Sequence, residues 1–247
     1  MFMERFVKKA LIVSYVLLLS GTSMAQSRWS VKPMAGGVLS TYVGENTEVF
    51  KQRMGWMAGA EVGYSVSLPL RFSLGLAYTQ QGCVLDKDQR SVWKGIARIT
   101  ATREDFYLRT KYFSVPLLAE YYVAKGLALK TGIQANFLHH ATEEYTVRID
   151  DNILDGEPIN EWNDMSKIYY EDWNSNWKSK MNSVDITIPI GLSYEYAGVV
   201  LDARYYYGLT HPLENLDMSY FHFWEGEIPR KARTSMLTLT LGYRFEL

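Results

Sequence analysis

From Leu237 to Leu247 every odd position is apolar (Leu237, Leu239, Leu241, Tyr243, Phe245, Leu247), while Thr238, Thr240, Gly242, Arg244 and Glu246 fill the even ones. A period of two sustained over this length marks a β-strand with one greasy and one polar face. The rhythm recurs up the chain. Val184, Ile186, Ile188, Ile190, Leu192 and Tyr194 alternate with Asp185, Thr187, Pro189, Gly191 and Ser193, and Val199, Leu201, Ala203, Tyr205 and Tyr207 with Asp202, Arg204 and Gly208. Leu127, Leu129, Ile133 and Phe137 oppose Lys130, Gly132, Gln134 and Asn136; Phe113, Val115, Leu117, Ala119 and Tyr121 oppose Ser114, Pro116 and Glu120. Phe72, Leu74, Leu76 and Tyr78 oppose Ser73, Gly75 and Thr79; Trp56, Ala58, Ala60, Val62 and Tyr64 oppose Gly59, Glu61 and Gly63. The weakest segment, Trp29 to Leu39, sets Val31, Ala35 and Leu39 against Lys32 and Gly36. Eight strands are predicted. Pro116 and Pro189 fall inside two of them, and because proline donates no ladder hydrogen bond, local bulges or bends are expected there.

The predicted connections alternate in length. Ser67–Arg71, Ala124–Gly126 and Ala197–Gly198 are tight, whereas Ser40–Met54, Gln80–Lys111, His140–Asn182 and Thr210–Arg233 are long. An even strand count with short turns at one end and long loops at the other describes an eight-stranded antiparallel up-and-down transmembrane β-barrel, its turns periplasmic and its loops extracellular. A soluble barrel has no reason for loop growth on one side.

The aromatic residues sort the same way. Trp29, Tyr64, Phe72, Tyr121, Tyr194, Tyr196, Tyr243 and Phe245 fall at the periplasmic strand ends, and Trp56, Tyr78, Phe113, Phe137, Tyr205 and Tyr207 near the outer ends, all in the outward phase. Two aromatic girdles flanking an aliphatic band are what the membrane interfaces favour.

Composition narrows the reading further. The 247 residues are 47% hydrophobic and include 18 Tyr, 10 Phe, 7 Trp and 18 Gly. Mean hydropathy is only -0.16, the average of a lipid face, a charged lumen and polar loops. No run of about 20 apolar residues occurs, which excludes a helical membrane protein. The single cysteine, Cys83, excludes an internal disulfide framework, and no Cys/His spacing suggests zinc. A formal charge of -1 offers no footprint for nucleic acid. No cofactor is expected. At the N-terminus, Arg5, Lys8 and Lys9 precede the apolar run Ala10 to Leu19 and the small residues around Ser23-Met24-Ala25. This is the layout of a secretory signal peptide over residues 1–25, leaving residues 26–247 as the barrel domain. With no cysteine beside the expected cleavage point, a lipid anchor is not predicted.

The stretch Val115-Pro116-Leu117-Leu118-Ala119-Glu120-Tyr121-Tyr122 resembles the eight-stranded outer-membrane beta-barrel proteins of Bacteroidetes, called porin-like or PorT-like. Asp202-Ala203-Arg204-Tyr205-Tyr206-Tyr207-Gly208-Leu209 and Leu241-Gly242-Tyr243-Arg244-Phe245 carry the same resemblance. It implies an outer-membrane barrel whose partners are membrane lipid and, through the C-terminal strand, the barrel assembly machinery. The chain departs from the usual terminal Phe by ending Phe245-Glu246-Leu247, though Phe245 keeps the outward phase.

Inward phase falls to Lys32, Lys130, Arg204 and Arg244 and to Glu61, Glu120, Asp185, Glu195, Asp202 and Glu246. An eight-stranded barrel is just wide enough for side chains to fill, so mixed charges there are expected to pair and plug the lumen. Charges facing ordered water at the rims are the alternative. The expected role is a monomeric membrane scaffold or loop-mediated binding protein, with a small-solute porin or an accessory part of a PorT-like export complex as alternatives.

Binding, where it occurs, is expected in the loops. Segment 80–111 carries a net +3 and segment 140–182 a net -6, and the latter holds Trp162, Tyr169, Tyr170, Trp173 and Trp177. Segment 210–233 adds Tyr220, Phe221, Phe223 and Trp224. Aromatic planes beside carboxylates suit an extracellular glycan or a protein partner, and self-packing of the loops accounts for them equally well. Asp150, Asp151, Asn152 and Asp155-Gly156 hint at calcium without the full twelve-residue loop. His139, His140 and His211 sit where a rim active site would lie, but no nucleophile motif accompanies them, and no enzymatic activity is predicted.

Overall fold

The computed structural model describes residues 28–247 except 46, 49, 86–87, 95–96, 154–170, 177 and 215–230. The expected signal peptide and its cleavage point lie outside the described residues. The elements in chain order are β1 (Trp29–Val43), β2 (Phe50–Ser65), β3 (Leu70–Leu85), β4 (Asp88–Lys94), β5 (Ala97–Ala124), β6 (Leu127–Ile153), β7 (Glu171–Asn176), a short 3-10 turn (Lys178–Lys180), β8 (Val184–Tyr196), β9 (Val199–Gly208), β10 (Arg233–Tyr243) and β11 (Phe245–Glu246).

Eight of these strands close on themselves. The path β5-β3-β2-β1-β10-β9-β8-β6 is antiparallel throughout, and the β5–β6 pairing joins its ends. Each strand twists and tilts, so a sheet of this size closes into a barrel and leaves no unpaired edge. β4 pairs with the far end of β5 and β7 with the far end of β6, extending one wall beyond the barrel proper. β11 continues β10 past Arg244 and pairs with β1.

Three connections are tight. Lys125-Gly126 and Ala197-Gly198 are two-residue turns, with φ of 78° at Gly126, 51° at Ala197 and 82° at Gly198. Successive positive φ values give the backbone twist that suits a two-residue hairpin. Val66–Pro69 joins β2 to β3, with the Val66 amide donating to the Leu70 carbonyl.

At the other end strand replaces much of what the sequence leaves as loop. Within the predicted 80–111 connection, β3 runs on to Leu85, β4 forms a further hairpin strand and β5 begins at Ala97. β6 continues to Ile153, well into the predicted 140–182 loop. The reason is physical: beyond the lipid the outward face meets water, so a strand there needs no apolar face and loses its alternation. Asp150, Asp151 and Asn152 fall on this extension of β6. They pair with Thr100, Ile99 and Arg98 in the β5–β6 ladder.

The prolines correct one part of an expectation, the bulges. Pro116 pairs with Gln134 and Pro189 with Tyr206 with no slip in register. Each interrupts the ladder on its other side, between Leu74↔Leu117 and Ala77↔Ser114 for Pro116 and between Thr131↔Ile190 and Gln134↔Thr187 for Pro189. Proline has no N–H to donate, and in each case the ladder skips two pairs and resumes in the same register without a bulge. Register shifts occur elsewhere, as where Lys111↔His140 gives way to Tyr112↔Leu138 and His139 becomes an extra residue on β6.

Candidate functional site

The lumen is filled in layers. Nearest the tight turns, Arg71 donates from Nη2 to Glu246 Oε1 (2.9 Å) and from Nη1 to the Tyr122 hydroxyl (3.3 Å). Tyr122 in turn donates to Glu195 Oε2 (3.2 Å), and the Arg244 guanidinium also donates to Tyr122. Arg244 bridges two carboxylates, with Nη1 to Glu195 Oε2 at 2.7 Å and Nη2 to Glu120 Oε2 at 3.1 Å. Lys130 Nζ continues the chain from Glu120 Oε1 (3.2 Å) to Asp202 Oδ2 (2.6 Å).

Asp202 is the hub. Arg204 reaches it through Nε (2.7 Å) and Nη2 (2.6 Å), and Lys32 Nζ lies 3.3 Å from Oδ2. Lys32 and Arg204 then share Glu61 at 2.7 Å and 2.6 Å. One continuous ion network runs from Glu61 on β2 through β1, β9, β6 and β5 to Arg244, between β10 and β11. Local sequence dictates it: alternate residues of neighbouring strands point inward at the same level, so Lys32↔Glu61 and Glu120↔Lys130 are register partners. Lys32, Glu61, Glu120, Lys130, Asp202, Arg204 and Arg244 are buried, while the Glu246 side chain at the mouth stays about half exposed (51%). Arg71 and Tyr122 belong to the network although sequence reasoning missed them. Arg71 closes the predicted turn in the sequence but lies on β3 in the structure, and Tyr122 shares the inward parity of Glu120.

Above the ions lies an apolar layer of Met34, Val38, Met57, Ala77, Tyr206 and Met236. A hydroxyl and amide belt partly overlaps it. Thr79 and Ser114 share a hydrogen bond of 3.2 Å, Ser114 donates to Asn136 Oδ1 (2.7 Å), and Asn136 Nδ2 donates to the Asp185 carbonyl (3.1 Å). Asp185 therefore stands apart from the ion network. Its carboxylate accepts from the Thr210 (2.6 Å) and Thr234 (2.8 Å) hydroxyls. A third layer closes the far end: Tyr42, Cys83, Leu108, Tyr112, Leu138, Ala141, Met181, Leu213 and Ala232 pack together. Met181 and Leu213 come from connections rather than strands. Asn182 ties these connections to each other, its amide donating to the Pro212 carbonyl (3.0 Å) and its side chain to the His211 carbonyl (2.7 Å).

The barrel exterior is the reverse of a soluble protein. Leu74, Leu76, Leu117, Ile133, Ile190, Leu201, Leu239 and Leu241 are exposed around the wall. Every girdle residue points outward. Trp56, Phe72, Phe113, Tyr121, Phe137, Tyr194, Tyr205 and Tyr243 are exposed, and Tyr64, Tyr78 and Phe245 are half-buried against neighbouring rings. Trp29 meets Tyr64 at 4.8 Å, Trp56 meets Tyr78 at 5.6 Å, Tyr78 meets Phe113 at 5.4 Å and Tyr243 meets Phe245 at 4.7 Å between centroids. An apolar band of this extent, ringed by aromatic side chains at both ends, is a lipid-facing surface.

The rim histidines do not form one site. His139 packs edge-on against Phe113 (5.2 Å) and Tyr78 (6.3 Å) on the outside, whereas His211 Nε2 accepts from Arg233 Nε (3.4 Å). Among the described residues no group of three or more His, Cys, Asp or Glu side chains is placed to hold a metal. Trp162, Tyr169, Tyr170, Trp177, Tyr220, Phe221, Phe223, Trp224 and Asp155-Gly156 lie outside the described residues; Trp173 lies on β7, opposite Tyr145.

The family model for the outer membrane protein beta-barrel domain matches residues 24–214, and the chain belongs to that family. The protein accordingly resides in the outer membrane. Among solved structures it is similar to Ail, the attachment invasion locus protein of Yersinia pestis, in complex with the heparin analogue sucrose octasulfate. That match has 14% identity and a TM-score of 0.44, covering 88% of this chain and 99% of that one. It is also similar to Neisserial surface protein A (15% identity, TM-score 0.35, 90% and 98% covered) and to CarO of Acinetobacter baumannii (10% identity, TM-score 0.39, 85% and 97% covered). No curated protein matches the sequence.

Proposed function

We propose that this protein is a closed-lumen scaffold of the outer membrane that acts by binding at its extracellular end, without conducting solutes and without catalysis. The observation that supports this reading is the filling of the lumen. Arg204, Glu61, Glu120 and Lys130 occupy one level, Met34, Met57, Tyr206 and Met236 the next, and Tyr112, Leu108 and Leu213 the mouth, all of them buried. A solute would have to break a desolvated ion network and two apolar layers, each packed as a protein interior is.

The extracellular end is the one where β5 and β6 project past the membrane. It carries the segments 140–182 and 210–233, with their acidic and aromatic residues, which suit an extracellular glycan or protein ligand. Because the barrel closes without a free edge, a monomer meets its pairing needs by itself. Assembly through the C-terminal strand fits the outward placement of Phe245. Two measurements test the reading. Proteoliposomes containing the protein should retain entrapped small sugars as well as protein-free vesicles do, and cross-linking on intact outer membranes should capture glycan or protein at the projecting end. Rapid sugar efflux would replace the scaffold with a porin. Cross-links confined to the periplasmic turns would favour an export accessory.

A further inference from the structure

Where β3, β5 and β6 leave the outer girdle, their outward face turns basic. Tyr78, Phe113 and Phe137 form one row of that girdle, joined through the two ladders. The next outward row holds Gln80, Lys111 and His140, and the one above it Gly82, Arg109 and Thr142. Tyr112, Thr110 and Leu108, which alternate with them on β5, are buried in the lumen, so Lys111 and Arg109 face outward. The Arg109 guanidinium lies over the Tyr107 ring at 5.7 Å, which holds it against the wall. The first acidic residues of these strands above the girdle come higher, where Glu143 and Glu144 pair with Leu108 and Tyr107.

The bulge in β6 is a second, independent observation. Lys111↔His140 gives way there to Tyr112↔Leu138, and Leu138 and Ala141 on either side of the bulge are buried in the lumen. His139 and His140 therefore both stand on the outer face, where regular alternation would send one of them inward. The His139 ring packs 5.2 Å from Phe113 and 6.3 Å from Tyr78, on the girdle row below Lys111. A bulge that re-aims a side chain in this way adds a polar ring to the basic rows.

We propose that this patch binds the phosphorylated sugar headgroup of an outer-leaflet glycolipid, with Lys111 and Arg109 on phosphate. Its height fits. Lys111 and Arg109 lie about 7 and 13 Å beyond Phe113 along the strand, or about 5 and 10 Å along the membrane normal after strand tilt. The polar layer outside the hydrocarbon is about 5–8 Å deep, so the two cations bracket it. The outer leaflet of an outer membrane presents phosphate on sugar. An ammonium and a planar guanidinium on neighbouring rows suit phosphate oxygens, which take short charge-assisted hydrogen bonds. The Gln80 amide, the Thr142 hydroxyl and the two imidazoles add neutral donors and acceptors that suit sugar hydroxyls. Tyr78 and Phe113 continue the same face downward into the lipid band, so headgroup and acyl chains of one molecule have a continuous surface. The proposal rests on the extracellular placement of the projecting end in the reading above. It does not rest on a closed lumen or on a ligand at the loops.

The test is heat unfolding of the full-length protein in detergent micelles, followed by the gel mobility of folded and unfolded forms, with diphosphorylated lipid A titrated in. A ligand that binds only the folded state raises the midpoint, and the concentration for half the rise reports its affinity. We expect a saturable rise with lipid A and a weaker response to the same lipid stripped of its phosphates and to phosphatidylglycerol. Each basic residue beside an anionic lipid surface is worth roughly fivefold in affinity, so Lys111→Gln should raise the half-point about fivefold and Lys111→Gln with Arg109→Gln about 25-fold. Lys125→Gln, which removes an exposed cation from the tight turn at the opposite end, should leave it unchanged. No response to lipid A overturns the proposal, as does an equal response to phosphatidylglycerol or an effect of Lys125→Gln as large as that of Lys111→Gln. Should the double variant fail to fold, an unchanged half-point in Lys111→Gln has the same consequence. Micelles have no sides, so failure here leaves the placement of the projecting end untouched; cross-linking on intact membranes reports that separately.

Discussion

Arg244, between β10 and β11, reaches across the lumen to Glu120 on β5, with Nη2 3.1 Å from Oε2 and both side chains buried. The pair spans 124 residues of sequence and links the last barrel strand to the middle of the barrel. Removing Arg244 leaves Glu120 with Lys130 alone and takes from Glu195 its Arg244 partner. Arg244→Ala is expected to cost about 3–5 kcal/mol, the usual penalty for removing one partner of a buried ion pair. Glu246→Ala, which removes the half-exposed partner of Arg71, is expected to cost only about 0–1 kcal/mol. Urea unfolding of the two variants in the same detergent checks the contrast, and equal losses would contradict the buried network.

Asp202 tests the same network at its centre. Three cations converge on it, so Asp202→Asn leaves Lys32 and Lys130 each with one carboxylate and Arg204 with Glu61. The expected loss is again about 3–5 kcal/mol. The double variant Asp202→Asn with Lys130→Met should recover part of it, because both members of one pair are then neutral. A double-mutant cycle with zero coupling would show that the two side chains do not meet.

The lipid face is expected to respond by depth. Leu239 is exposed at the middle of β10 and Tyr243 at its turn-side end. Leu239→Arg should cost about 2–4 kcal/mol and Tyr243→Arg about 0–1 kcal/mol, since a charge at the interface reaches water and one at the midplane does not. Refolding into vesicles of defined lipid gives both values, and the reverse order would place the membrane elsewhere on the barrel.

The turn joining β8 to β9 supplies a local prediction. Gly198 has a φ of 82°, and a Cβ added there would lie 2.8 Å from the Tyr243 ring. Gly198→Val combines left-handed backbone strain with a clash against a girdle residue, and is expected to cost about 1–3 kcal/mol in urea unfolding.

The membrane-spanning part was legible in the sequence because lipid enforces a rule that sequence displays. Leu237, Leu239 and Leu241 had to face outward and Thr238 and Thr240 inward, and the structure has them so. Above the lipid that rule lapses, which is why β4, the start of β5 and the end of β6 carried no alternation to read. Inside the barrel the sequence showed charges at Lys32, Glu61, Glu120, Lys130, Asp202, Arg204 and Arg244 but not their partners, since pairing depends on which strands become neighbours. The apolar layer was missed for a different reason. Met34, Met57 and Met236 occupy inward positions where the polar phase was expected, and one methionine among polar neighbours does not stand out as core. Asp185 carried no signal separating it from the other lumen acids; only the closed structure shows its carboxylate held by the Thr210 and Thr234 hydroxyls.

The central claim, a closed lumen, is tested most directly by single-channel recording of the purified monomer in planar bilayers. Insertion without resolved conductance steps is the predicted result, with Met57→Ala combined with Met236→Ala also silent because the ion network remains below. Stable, reproducible unit conductance from the unaltered protein would contradict it.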